Sequence, residues 1–201
     1  MGQWSSTGST QIRRESATGV RLHDGRVLLF GGYTCCDFFT PAAEVYNQHT
    51  GTWTRAADLP SGRAGAAVAV LADGRVLVVG GGTNISGPFN DALLFDPGTL
   101  SWSPAGTLAE PRSGAAALLL PDGRVLVAGG GPLGTEIYDP ESNSWSAGPP
   151  LNQQHPGGTL TSLPDGNVMM IGGGTGPDGR QTEIWRPTLL PPPPPPPGGG
   201  T

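Results

Sequence analysis

Three arginines and a histidine recur at one position of this chain. Arg14, Arg63, Arg112 and His155 each stand ten residues before an aspartate, at Asp24, Asp73, Asp122 and Asp165. Cations that repeat with a structural unit gather around one axis when the units stack. Such a ring suits a carboxylate or sulfate, because guanidinium groups bind both in a planar, bidentate way. A structural reading stands beside it: each cation bonds carbonyls of a neighbouring unit or pairs with an acid such as Glu15 or Glu110. Phe38, Phe39 and Phe89 also invite a binding reading, since aromatics on long loops suit interfaces; tucking under the loop is the alternative. Cys35 and Cys36 are the only cysteines. Adjacent thiols cannot close a long stabilising loop. A vicinal disulfide or a soft-metal pair is conceivable, but nothing nearby completes a site, and two plain thiols are the simpler reading. Asn84-Ile85-Ser86 is an N-glycosylation sequon, which matters only in a secreted protein. Met1-Gly2-Gln3-Trp4-Ser5-Ser6 fits the loose myristoylation pattern, although Trp4 has a structural role in the repeat. The sparse acids show no Ca²⁺-loop spacing.

The elements that would position these residues follow from an internal repeat. Trp4, Trp53, Trp102 and Trp145 each precede a repeat aspartate by 20 residues, and Tyr46, Phe95 and Tyr138 each precede the next tryptophan by seven. Only the stretch from aspartate to aromatic varies, at 22, 22, 16 and 20 residues. Constant segments read as packed strands and variable ones as surface loops. Each unit resolves into four strands. Strand a is small and apolar, as in 113–119. An Asp-Gly turn follows, with positive φ expected at both central residues. Strand b is a continuous apolar run such as Arg124-Val125-Leu126-Val127, which implies burial on both faces. Strand c ends in the aromatic, and strand d begins at the tryptophan. Four short antiparallel strands per 40 to 50 residues describe a propeller blade. Strand a, with its Ala and Gly, fits the crowded innermost position.

The pattern Leu120-Pro121-Asp122-Gly123-Arg124-Val125-Leu126-Val127-Ala128-Gly129-Gly130, then Glu136-Ile137-Tyr138-Asp139-Pro140 and Trp145, resembles kelch repeats, especially those of galactose-oxidase-like propellers. The resemblance spans residues 4 to about 187 and implies a β-propeller, most often of six or seven blades. Its copper radical oxidases use two His, two Tyr and a Cys cross-linked to one Tyr, with a Tyr-His pair at the start of a strand a. The matching segments here begin at Arg14, Arg63, Arg112 and His155 and carry no such pair, so no catalytic residue, metal or cofactor is expected.

The repeat has informative ends. Trp4-Ser5-Ser6-Thr7-Gly8 reads as a strand d, while the last unit stops after strand c at Trp185, with Pro192 where its tryptophan would stand. The expected fold is therefore all-β: a β-propeller of four-stranded antiparallel blades, with four kelch-type repeats and the last blade closed by the N-terminal strand. A slice of a longer propeller is the competing reading. The propeller covers 1–188, and 189–201 form a Pro/Gly-rich tail that reads as a spacer or as a polyproline II ligand for an aromatic-lined groove. Sparse charge and a net balance of −5 exclude a nucleic-acid footprint. No apolar run reaches membrane-spanning length. No secretory signal is visible, which implies a cytoplasmic protein if this is the full chain and an extracellular one if it is a mature piece. The variable loops at 31–43, 80–92, 129–134 and 172–181 mark the binding face. The expected function is a non-catalytic binding or scaffolding module that presents these loops to a protein segment or an acidic glycan. The alternatives are a fragment of a copper radical oxidase whose catalytic residues lie elsewhere, and a structural extracellular or cell-wall protein.

Overall fold

The computed structural model describes residues 2–34, 38–174 and 180–187. Sixteen strands and no helix occur among them. The first blade is β1 (Thr18–Arg21), β2 (Val27–Phe30), β3 (Ala43–Asn47) and β4 (Thr52–Arg55), paired in that order. The second is β5 (Ala67–Val70), β6 (Val76–Val79), β8 (Gly87–Asp96) and β9 (Ser101–Arg112), with the two-residue β7 (Gly82–Thr83) on the outer part of β8. The third is β10 (Ala115–Leu119), β11 (Val125–Gly129), β12 (Glu136–Asp139) and β13 (Ser144–Ala147). The fourth holds three strands, β14 (Thr159–Ser162), β15 (Val168–Ile171) and β16 (Thr182–Trp185). All pairings are antiparallel. First strands meet across blades, β5 with β10 and β10 with β14, as expected for the inner position.

The core lies between blades rather than within one sheet. Leu28, Phe30 and Val45 of the first blade meet Val76, Val78 and Phe95 of the second. Leu77, Val79 and Leu94 then meet Val125, Val127 and Tyr138 of the third. Leu126 and Ile137 meet Val168 and Leu160 of the fourth. Successive residues of strand b therefore point to opposite neighbours, which is why that strand is apolar throughout. Each fully buried Val or Leu contributes about 2 kcal/mol relative to exposure. The aromatic and tryptophan of each complete blade lie opposite each other in register and touch, with ring centroids 5.1, 4.9 and 5.1 Å apart for Tyr46–Trp53, Phe95–Trp102 and Tyr138–Trp145.

The Asp-Gly turns differ from expectation in one respect. Gly25, Gly74, Gly123 and Gly166 have positive φ, between 81° and 88°, but the aspartates do not. Gly25 N–H donates to Leu22 O, and Leu22 N–H donates to Arg26 O. This is a three-residue loop, a type I turn with a glycine bulge, and it needs only one left-handed residue. The aspartate side chain completes it: Asp24 accepts from the Arg26 N–H at 3.0 Å and from its Nε at 2.8 Å. Asp73–Arg75 and Asp122–Arg124 repeat the clamp, and Asp165–Asn167 imitates it. The Arg26 hydrogen bond holds the Asp24 carboxyl below its ordinary range.

Two further expectations change. Residues 80–92 are not a simple loop, because β8 extends outward and pairs with β7 to form an arm. The N-terminal segment does not close the last blade: Trp4 is fully exposed, and among the described residues β16 is the edge of its sheet. The proposed boundary at 188, the tail, Cys35 and Cys36 lie outside the described residues.

Candidate binding surface

The paired glycines at the end of strand b set up the loop-bearing face. Gly31, Gly80 and Gly129 take φ of 64°, 60° and 74°. A Cβ on them would lie 2.4, 2.4 and 2.5 Å from the main-chain oxygens of Arg63, Arg112 and His155. The next blade therefore approaches too closely for any side chain. Its Arg or His carbonyl accepts the N–H of the second glycine, at 2.8 Å for Gly32 to Arg63, 2.9 Å for Gly81 to Arg112 and 3.4 Å for Gly130 to His155.

The side chains of the same four cations turn back into their own blades. Arg63 Nη1 donates to Gly80 O at 3.0 Å, and both Nη atoms reach Asp91, at 2.7 and 2.8 Å. Arg112 donates to Gly129 O, Gly134 O and Glu136 at 3.2, 2.6 and 3.3 Å. Arg14 donates to Gly31 O and Ala42 O and pairs with Glu44. His155 sits between Gly172 O and Glu183. Arg63, Arg112 and His155 are at most 1 % exposed, and the Arg14 side chain is 3 % exposed. The four positions share a geometry but not an open anion site, because the cations are buried against carboxylates and carbonyls of the protein, which take most of their donors; the buried Arg14 Nε alone among them has no partner among the described residues. This favours the structural reading of the ring over the ligand reading. The acids are not Glu15 or Glu110 but Glu44, Asp91, Glu136 and Glu183.

Those acids were missed, yet a signal exists. Glu44, Glu136 and Glu183 each stand two residues before the strand-c aromatic, at Tyr46, Tyr138 and Trp185. The second blade has Leu93 there and uses Asp91 on the extended part of β8 instead. Burial pushes the Glu183 carboxyl upward. The Asn152 N–H, His155 and the Gln153 N–H outweigh that and leave it below the ordinary carboxylate range.

The aromatic residues behave differently. Phe38, Phe39 and Phe89 line one cleft of about 380 Å³ together with Ser61, Gly62, Thr83, Ile85 and Ser86. The cleft runs between the loops of the first two blades. Gly62 makes the crossing feasible, since a Cβ there would meet Phe39 O at 2.0 Å. Phe89 is anchored under the Arg63 guanidinium, 4.9 Å from its ring centroid, and Phe39 leans on Tyr33. Phe38 and Ile85 have no such cover and are 76 % and 88 % exposed. Among the described residues, no charged side chain lines this cleft. Ile85 was not foreseen as a site residue; it is the middle residue of the sequon, and Asn84 sits exposed beside it at the tip between β7 and β8.

The opposite face carries a second cleft of about 380 Å³ between the Asp-Gly turns, lined by Asp73, Arg75, Asp122, Arg124, Asp139 and Glu141 among others. Arg75 and Arg124 are each clamped to their own aspartate. Among the described residues, no group of three or more His, Cys, Asp and Glu side chains is placed to hold a metal ion.

Residues 62–109 match the family model of the kelch motif. The match begins beside Arg63, runs through the second blade and ends past its tryptophan. No curated protein matches the chain.

Proposed function

We propose that this kelch-repeat β-propeller protein is a non-catalytic protein-binding module, and that its ligand is an uncharged peptide segment with an apolar anchor side chain. One observation carries the reading. The loop cleft at Phe38, Phe39, Ile85 and Phe89 is open, largely apolar and, among the described residues, lined by no charged side chain. Loops set on a rigid scaffold are the usual place for recognition. Their aromatic side chains supply contact area at low conformational cost. Phe39 and Phe89 are preorganised by Tyr33 and Arg63, whereas Phe38 and Ile85 offer exposed surface that binding would cover. An acidic glycan fits less well, because Arg63 and Arg112 are already buried against carboxylates.

A random peptide library displayed on phage tests this reading. Selection should enrich peptides with aromatic or aliphatic residues. Phe38→Asp or Ile85→Asp should weaken a selected peptide by at least ~10-fold, the scale of losing one anchor contact, without changing the melting temperature. Enrichment of acidic peptides, or binding insensitive to both substitutions, would overturn it.

A further inference from the structure

Among the described residues the fourth blade has three strands, and the N-terminal segment carries the sequence pattern of a fourth strand but pairs with no sheet there. β16 forms the edge of a three-stranded sheet among the described residues. In the other blades this strand pairs with a fourth, whose tryptophan lies opposite the strand-c aromatic. Trp185 holds the aromatic position, and none of the ring pairs among the described residues includes it. A cavity of about 100 Å³ lies beside it, lined by Ala128, Pro149, Leu151, Met170 and Trp185 among others. Seven residues past Trp185, where the other units have tryptophan, stands Pro192, which has no N–H for a ladder. On the outward face Ile184 is 42 % exposed, whereas its counterpart Ile137 is buried under the next blade.

The N-terminal segment runs over the first blade as each strand d–strand a connection runs over the blade that follows it. Gly8 N–H donates to Gly51 O at 3.1 Å, as Ala57 N–H does to Leu100 O at 2.9 Å. Trp53 Nε1 donates to Gly8 O at 3.0 Å, as Trp102 does to Ala57 O at 2.8 Å and Trp145 to Ala105 O at 2.7 Å. Gln11 N–H donates to Glu44 at 2.6 Å, as Ala109 does to Glu136 at 2.8 Å and Asn152 to Glu183 at 2.7 Å. Trp53 stands four residues before Ala57, in β4 of the preceding blade, and Trp4 stands four residues before Gly8. Thr7 still touches the first blade, its hydroxyl hydrogen-bonded to that of Tyr46, and residues 4–6 lie beyond it, where a preceding blade's fourth strand belongs. Trp4 is fully exposed there.

We propose that the Trp4 strand of one copy completes the fourth blade of a second copy, which returns its own strand, so that two chains form one eight-bladed ring. Strand addition to an open sheet edge is an established mode of recognition. Here Trp4 lies opposite Trp185 in the register of the other three pairs. Its indole N–H meets the carbonyl of Gly148, the counterpart of Ala105. The outward face at Met169 and Ile184 covers Val27 and Leu29 of the second copy, repeating the three internal junctions. Two-fold closure leaves no blade edge open, and eight blades lie within the range propellers adopt.

Light scattering on the full chain, sampled from micromolar to submillimolar concentration, decides the matter. The wild type should elute as a dimer of twice the 20.5 kDa chain mass. Trp4→Ala and, independently, Ile184→Asp should each raise the dimer dissociation constant at least ~100-fold, as expected for losing a central interface anchor. Both monomers should stay folded, because each side chain is exposed in the single chain. A wild type that stays monomeric throughout would overturn the proposal. So would a monomer that Trp4→Ala destabilises, which would mean closure within one chain.

Discussion

Replacing Arg112 by methionine should cost the protein about 3 kcal/mol. Arg112 is 1 % exposed and donates to Gly129 O, Gly134 O and Glu136. Methionine retains much of the volume but none of the donors. Glu136, whose side chain is 8 % exposed, then keeps only the Ala109 N–H. Breaking a buried ion pair from one side costs roughly 3–5 kcal/mol. The surviving Ala109 bond places this case at the lower end. With a urea slope of about 2 kcal/mol per molar, the unfolding midpoint should fall by about 1.5 M. Arg63→Met supplies the internal comparison. Its partner Asp91 is 35 % exposed and can turn to water, so the loss should be smaller, about 2 kcal/mol. The assay is urea denaturation followed by tryptophan fluorescence. Adding Glu136→Gln to Arg112→Met should recover part of the loss, since the stranded charge is gone. If Arg112→Met leaves the midpoint within 0.2 M and abolishes binding of a polyanion such as heparin, the ring is a ligand site and the reasoning here fails.

Gly80→Ala should destabilise by at least ~2 kcal/mol, because a Cβ there lies 2.4 Å from Arg112 O at φ 60°. Gly123→Ala, at φ 88° with open space around it, should cost only about 1 kcal/mol in the same urea titration. The folded-state pKa of Glu183 is lowered, so its contribution is complete above the ordinary Glu value of about 4.3 and is lost as pH falls through the lower folded value. Melting temperatures measured from pH 6 to pH 3 should therefore fall more steeply for the wild type than for Glu183→Gln. In a glycosylating secretory host, a glycan on Asn84 should obstruct the adjoining cleft. Peptide binding should then return on Asn84→Gln or on enzymatic deglycosylation.

The blades were legible because the constant spacings from tryptophan to aspartate and from aromatic to tryptophan are register constraints. A strand pair such as Tyr138 and Trp145 tolerates no insertion between its members. The continuous apolar strand b was legible for the same reason, since Leu126 and Val127 serve different neighbours. The partners of the arginine ring were not. Arg112 and Glu136 lie on different strands, and only the folded register brings them together. The second blade also breaks the spacing by using Asp91. The turn type was obscured because Asp-Gly suits both a two-residue and a three-residue loop. Loop length decides, and His23-Asp24-Gly25 is three. Trp4 announced a fourth strand, but a repeat pattern alone does not say whose third strand it meets. Phe38 and Phe89 were visible as loop aromatics. That Gly62 lets their loops converge, and that Ile85 joins them, required the backbone.

Photo-cross-linking tests the location of the binding surface most directly. A selected peptide carrying a benzophenone at its apolar anchor is irradiated with the full chain, and the adduct is mapped by mass spectrometry. The account predicts adducts within 38–39 and 83–89, abolished by Ile85→Asp. Adducts confined to the Asp-Gly turns, at 73–75, 122–124 or 139–141, would place recognition on the opposite face and contradict it.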